Sequence, residues 1–529
     1  MASPPAPPDP FGTAALRASV LEAWAASPTR FREDANAEED LRLGGYAQTW
    51  FVELAQNAAD AARAAGVPGR LRLTSDASPA AARAGGPVEL RVANTGAPLD
   101  AGGVAALASL RASAKRDDAA VGRFGVGFAA VLALTDAPRV VSATGGVRFS
   151  ATDTAAAVAA LPGPAAELAR RDGQLPVLRL VWPVARAEPP VPDGFATEVR
   201  LPLRRGADVE ALLAAARATA PDLLLALPDL AEVAVDGRVV RRTPESVSLP
   251  GDGAVAELVT VDGAPDGPRR WLLARRGGRL DGPSGAVEER RDWAVAWALP
   301  LDAAGRPAPL AADVLHAPTP AAERLSLPAR LLATFPLDPD RRHVRAGPVT
   351  DRLVDEAARA YLDLLRALPP DDRVAAVPEP GFPLSELGGR LRDALAAALR
   401  TAEWLPGAAG AELAPARAER LDVPGAGGLP ALLAGADPAF ARLLAPPSGP
   451  LSGSGAAALA GLGVRAVGAA ELAERLLGLD RPAAWWRAVY AELVGPADAV
   501  PGLLDELRAL PVRLLDGRTV PGPATVLLP

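Results

Sequence analysis

The chain has 529 residues, a formal net charge of −7, and a composition that is 49% hydrophobic and 22% charged. That is too long for one core, and about two to four domains are expected. It has no Cys and only two His, His316 and His343, which excludes a disulfide framework, a thiolate metal centre and a His-built metal site. No stretch reaches the ~18 uninterrupted apolar residues of a membrane span, and no basic block supplies the clustered Lys and Arg that phosphate neutralisation needs. Neither a membrane nor a nucleic-acid partner is therefore expected, and a cytoplasmic protein is the default reading.

Residues 1–10, MASPPAPPDP, lack the basic and apolar regions of a secretory signal and read as a disordered Pro-rich tail. Residues 13–26 read as an amphipathic helix, and the charged residues 31–43 as irregular chain. The stretch WFVELAQNAADAA, residues 50–62, predicts a helix with no Pro or Gly inside. Glu53, Asn57 and Asp60 fall at i, i+4 and i+7 and share one face. Leu54, Ala55, Ala58, Ala59 and Ala62 form a face small enough to lie close against a sheet. An acid, an amide and an acid in line on such a helix call for partners, because buried polar groups are costly without them. Residues 70–74 and 88–93 read as strands, the second running into VANTG at Val92–Gly96. A short helix at 104–111 and a polar segment at 112–120, expected to act as a mobile lid, come next. In VGRFGVGFAAVL, residues 121–132, the glycines Gly122, Gly125 and Gly127 alternate with Phe124 and Val126 and lead into an apolar segment. Glycines let backbone N–H groups approach a ligand, and a helix N-terminus attracts anions, so this reads as a phosphate cradle. It is neither a Walker A loop nor the GxGxxG of a dinucleotide fold. Strands are expected at 139–143, 146–150, 177–183 and 197–203, with a helix at 154–170.

Taken together, ELAQNAADA, VANTG and GRFGVGF resemble the GHKL superfamily of ATP-binding domains, which includes the heat-shock-protein-90 chaperones, DNA gyrase B, the MutL repair proteins and histidine kinases. Their order and wording look closest to the heat-shock-protein-90 and sacsin-like branch. GFATEVRLPL, residues 194–203, matches the family's late strand. The resemblance implies an α/β domain, an α+β sandwich of the GHKL ATPase type, over residues 11–205, binding ATP and Mg²⁺. It makes Glu53 the general base that activates the attacking water, and Asn57 the Mg²⁺ ligand. Asp60 supports the site. Asn94 stands where the family usually has an Asp that accepts from the adenine amino group, and Gly96 keeps the backbone close to the base. Pro98 replaces the usual second Gly of that motif, and Thr197 matches the threonine that reaches adenine through water. Gly122, Phe124, Gly125, Val126 and Gly127 hold the phosphates, with Lys115 as a point charge across the lid. Arg341 and Arg342, in FPLDPDRRHV, are candidates for the arginine that a following domain brings to the γ-phosphate, with a structural salt bridge as the competing reading.

Composition adds weight to these positions. The chain has no Ile, one Lys and three Asn. The single Lys is Lys115, and two of the Asn are Asn57 and Asn94; Asn36 receives no reading.

Beyond the motifs, a helix at 208–219, a hairpin at 230–242 turning at Asp236-Gly237, strands at 256–261, 270–274 and 293–299, and a helix at 349–368 predict a mixed α/β middle region, residues 206–375. Its place in the chain resembles the middle domain of heat-shock-protein-90 proteins. Residues 376–529 are expected to be a mainly helical C-terminal region, with helices at 384–405, 466–477, 482–493 and 502–510. The last residues read as a hairpin ending on apolar residues, which suggests a chain that is truncated or continues elsewhere. The expected function is a slow Mg²⁺-dependent ATPase with chaperone-like cycling on a client or regulatory protein, with a homodimer compatible with the resemblance. The alternative is a regulatory switch that binds ATP without hydrolysing it, which the Asn94 and Pro98 departures keep open and Glu53 argues against, since a pure binder needs no base. A histidine kinase is disfavoured because both His follow the ATP motifs, and a topoisomerase or mismatch-repair subunit by the acidic balance.

Overall fold

A computed structural model describes residues 9–43, 49–76, 88–109, 127–249, 255–264, 266–280, 292–317, 320–338, 342–446, 451–514 and 516–526. The fold is mixed α/β. The chain divides into two units: one takes the residues up to Glu245 with Val259–Arg270, the other Ser246–Leu258, Trp271–Asp338 and the residues from Arg342 onward.

The first unit is organised on a mixed sheet. Its strands are β1 (Gly69–Asp76), β2 (Glu89–Asn94), β3 (Arg139–Ser142), β4 (Gly145–Arg148), β5 (Trp182–Pro183), β6 (Thr197–Pro202), β7 (Leu230–Val235) and β8 (Arg238–Val247), in the order β5-β4-β3-β6-β2-β1-β7-β8. All pairs with a defined register are antiparallel except β1 with β7. Directly opposed residues share a face. The register therefore lines up Leu73, Val92, Val199 and Val140 across four strands, with Leu71, Asn94, Thr197 and Ser142 as the next row on the same face. Helix α3 (Trp50–Ala65) packs against β1 and β7. The opposite face is ionic: Arg91 joins Glu89 and Asp76, and Arg139 joins Glu89 and Glu188. The buried Arg200 bonds both Glu188 and Glu198.

Helices α1 (Thr13–Ala26) and α2 (Pro28–Leu43) share a small core with Val158 and Leu180, in which Trp24 and Phe31 meet edge to face at 5.1 Å. The charged stretch 31–43, expected to be irregular, is helical because its charges are used by the fold. Arg32 pairs with Glu167 at 2.8 Å, Asp34 accepts from the Trp24 indole at 2.9 Å, and Glu38 accepts the N–H groups of Val177 and Leu178 at 2.6 and 2.9 Å. Asn36 accepts from Arg171. The expected single helix 154–170 is two, Ala151–Ala159 and Pro162–Arg170, because Leu161 is extended ahead of Pro162. The expected strand 177–183 opens as a 3₁₀ turn, Val177–Arg179, before the two residues of β5. The β7–β8 turn has Asp236 and Gly237 at φ 48° and 82°, the left-handed pair of a two-residue hairpin.

β9 (Val255–Asp262) follows in the chain. In the second unit β10 (Arg269–Arg279), β11 (Asp292–Leu301), β12 (Asp313–His316), β13 (Pro320–Leu325) and β14 (Arg330–Ala333) are ordered β10-β11-β14-β12-β13. The helix Pro348–Ala367 covers β11. Trp297 donates its indole N–H to the Ala357 carbonyl at 2.8 Å and meets Tyr361 edge to face at 5.0 Å. The same core takes in Leu391, Leu395, Trp404 and Leu459. A second core gathers Leu429, Leu433, Phe440, Leu472 and Trp486 from the helices Leu429–Ala434, Ala469–Leu476 and Ala483–Ala499 and the turn between them. Among the described residues no helix is long and apolar enough to cross a membrane.

Candidate functional site

The site begins with α3, an uninterrupted helix that stops where Gly66 turns left-handed at φ 64°. Its first turn carries Glu53, whose negative charge suits the positive end of the helix dipole. Glu53 is only 6% exposed, and Leu54, Ala55, Ala58 and Ala59 of the same helix are also buried. Asn57, one turn on, is half-buried.

Gly127 stands directly against Glu53. A Cβ at that position would overlap the Glu53 carboxylate at Oε2 and lie 3.6 Å from the Glu53 Cβ. Any side chain there would require the Glu53 carboxylate to shift. The end of the glycine loop and the helix carboxylate, 74 positions apart in the chain, are thus neighbours. Asp60 sits at the rim, half-exposed, and accepts from Arg63 at 3.0 Å; Arg63 also bonds Asp229 at 2.8 Å.

At the end of β2 a second close approach occurs. Gly96 has φ 118°, and a Cβ there would lie 2.6 Å from both the Ala61 carbonyl oxygen and the Ala62 nitrogen of α3. The Ala97 N–H donates to the Ala61 carbonyl at 2.9 Å, tying the turn to the helix. Asn94 is half-buried, and its Nδ2 donates to the Thr95 carbonyl at 2.9 Å, which leaves Oδ1 as the amide's acceptor end. Thr197 pairs directly with Asn94 across β6, and Ser142 with Thr197 across β3. Asn94, Thr197 and Ser142 thus form a row of hydrogen-bonding side chains on the helix-covered face of the sheet.

Ser142 was not among the residues singled out from sequence. The signal that finds it is register: once β2, β6 and β3 are paired, the residue opposite Thr197 is fixed. Lys115, Gly122, Phe124, Gly125 and Val126 lie outside the described residues, as do the segment 112–120 and Arg341. Arg342 is exposed in the second unit, where its carbonyl accepts the Ala322 N–H at 2.8 Å.

Two concavities among the described residues lie elsewhere. One in the first unit is lined by Glu38, Leu132, Asp136, Val177 and Arg204, and one in the second by Arg352, Asp355, Glu356 and Arg359. In the first, Glu38 bonds the Val177 and Leu178 N–H groups, and Asp136 bonds Arg204 at 2.6 Å, so its polar groups satisfy one another. Among the described residues no three His, Cys, Asp or Glu side chains converge as a metal site. The α3 cluster is the stronger candidate because it brings an acid, an amide and two glycine close approaches to one helix. No protein-family model matches the chain, and no curated protein matches it.

Proposed function

We propose that this is a Mg²⁺-dependent ATP-binding protein of the GHKL type that hydrolyses ATP slowly. The observation that carries the reading is the buried Glu53 carboxylate against Gly127, an acid on a helix face beside a glycine whose missing side chain leaves room for that carboxylate. In this reading Glu53 takes the proton of the water that attacks the terminal phosphate. Asn57 offers Mg²⁺ a hard amide oxygen, and phosphate oxygens and water complete the shell, so no cluster of protein carboxylates is required. The turn at Gly96 and the pair Asn94 and Thr197 face the base, with the Asn94 Oδ1 accepting from an adenine amino group. Gly122, Gly125 and Gly127 present backbone N–H groups to the phosphates, and Lys115 adds a charge. The second unit, with its mainly helical C-terminal part, converts nucleotide state into a change at a client or regulatory surface, as a chaperone-like cycle requires; Arg341 or Arg342 meets the terminal phosphate in that cycle. The second reading is a switch that binds ATP without turnover. Asn94 favours it, since a neutral acceptor holds the base less firmly than a carboxylate.

The deciding experiment measures Mg²⁺-dependent ATP hydrolysis and ATP binding on the wild type and on Glu53→Ala. Turnover in the wild type, with binding but no turnover in Glu53→Ala, is the expected result. Binding by both with turnover by neither makes the protein a switch. Binding by neither ends the ATP reading.

A further inference from the structure

The turn that follows β2 is held from two directions, and one hydroxyl carries most of one side. Ser142, 6% exposed, has its Oγ in three contacts. It accepts the Leu99 N–H at 3.0 Å, donates to the Ala196 carbonyl at 2.9 Å, and lies 3.2 Å from the Thr197 Oγ1. Two residues on, the Thr144 hydroxyl donates to the Leu99 carbonyl at 2.5 Å. Both backbone polar groups of Leu99 are therefore bonded by side chains of the β3–β4 hairpin, while Ala97 is bonded to α3 through Ala61. Upstream, the Thr95 N–H donates to the Arg70 carbonyl at 3.1 Å, and its hydroxyl accepts the Arg70 N–H at 2.9 Å. Pro98 sits between the two anchors with a fixed φ and no N–H of its own. Asp100 then caps the helix Ala101–Leu107 by accepting the Gly103 N–H at 2.7 Å.

We propose that Ser142 is a positioning residue for nucleobase recognition: its hydroxyl sets the Leu99 turn against Thr197, and so fixes the distance between the Gly96–Leu99 wall and the Asn94–Thr197 pair. The assignment rests on the ATP reading above. It follows from hydrogen-bond accounting. A serine hydroxyl has one donor and two acceptor sites, and here the donor goes to Ala196 while the Leu99 N–H and the Thr197 hydroxyl take the two acceptor sites. Removing it strands the Leu99 N–H and loosens the wall at the base end only. The phosphate end, at Glu53, Asn57 and Gly127, is carried by a different element.

The test titrates the full chain with Mg-ATP and Mg-GTP and measures turnover at saturating ATP, for the wild type, Ser142→Ala, Ser142→Thr, Thr197→Val and the double variant Ser142→Ala with Thr197→Val. Ser142→Ala is expected to weaken ATP about tenfold and GTP less than about threefold, narrowing the preference, with kcat within about twofold. Ser142→Thr, which keeps the hydroxyl, restores the preference. Thr197→Val gives the same base-selective loss, and the double variant loses no more than either, as members of one network do. Equal weakening of ATP and GTP, a fall in kcat matching the fall in affinity, or no change at all overturns the assignment while leaving the ATP reading intact. A wild type that binds both bases equally also overturns it. A wild type that binds no nucleotide overturns the ATP reading, and this assignment with it. Thermal unfolding midpoints separate a variant that fails to fold, and Thr197→Val then carries the decision.

Discussion

At the scale of single residues, Gly127 and Glu53 form a pair in which one residue's lack of a side chain makes room for the other's. Gly127→Ala places a methyl group on the Glu53 Oε2 position, so the carboxylate, the far end of a flexible side chain, has to swing away. A general base displaced by about 1 Å costs on the order of 10²-fold in rate. Gly127→Ala is therefore expected to lower kcat by one to two orders of magnitude with ATP affinity changed much less, and an alanine variant with wild-type kcat would remove Glu53 from catalysis. Asn94 makes the opposite prediction. Its amide already donates to Thr95, so Asn94→Asp loses that bond but offers a charged acceptor. Charge assistance outweighs a neutral bond by about 1 kcal/mol, so ATP should bind roughly fivefold more tightly in Asn94→Asp, as read by calorimetric titration at constant salt.

At the scale of elements, the β2 turn and α3 behave as one structure. Gly96 is left-handed and touches the backbone of Ala61 and Ala62, atoms that have no rotamer with which to yield. Gly96→Ala combines backbone strain with overlap and is expected to destabilise the first unit by about 2–4 kcal/mol in denaturant titration. A loss below about 0.5 kcal/mol would mean that the turn and helix are not in contact in solution. The same elements explain what could be read beforehand. α3 was legible because its polar and small residues follow one helical period, and the β7–β8 hairpin because Asp-Gly can occupy a left-handed turn. Glu53 could be picked out by its place in a motif, but its burial against Gly127 joins positions far apart in sequence, and no local pattern encodes that. α2 was misread for a related reason. Its run of charges looks solvated in sequence, yet Arg32, Asp34, Asn36 and Glu38 each hold a partner in another segment or helix. Ser142 escaped because its role exists only after three strands are set in register.

At the scale of the whole molecule, the two units organise their charges differently. The first unit's sheet face is ionic across several strands, with charge shared among Arg91, Arg139, Arg200 and four acids. In the second unit the charge converges on one residue. Glu419 is buried and accepts from Arg475 and Arg465, each at 2.6 Å, while Glu471 bonds the same two arginines at 2.7 Å. The Arg475 hydrogen bond, followed by that of Arg465, holds the Glu419 carboxyl down from its ordinary 4.5 to about 2. A carboxyl whose folded value is depressed binds fewer protons than the unfolded chain, so its stabilising contribution is complete above pH 4.5 and is lost as pH falls toward 2. Glu419 joins the strand pair Glu419–Leu421 and Arg465–Val467 to the helix Ala469–Leu476, next to the core that holds Trp486. Acid should therefore loosen this part of the second unit in that window, and tryptophan fluorescence should report it. Glu419→Gln removes the titrating group and leaves the two arginines with Glu471 alone, at a cost of about 2 kcal/mol at pH 7, below the figure for a fully buried pair because Arg465 is half-exposed and Glu471 remains. The variant should start less stable and lose less between pH 5 and 2 than the wild type. If the two stability curves run parallel through that window, Glu419 is not the group that titrates, and the acid sensitivity of the unit lies in its other carboxylates.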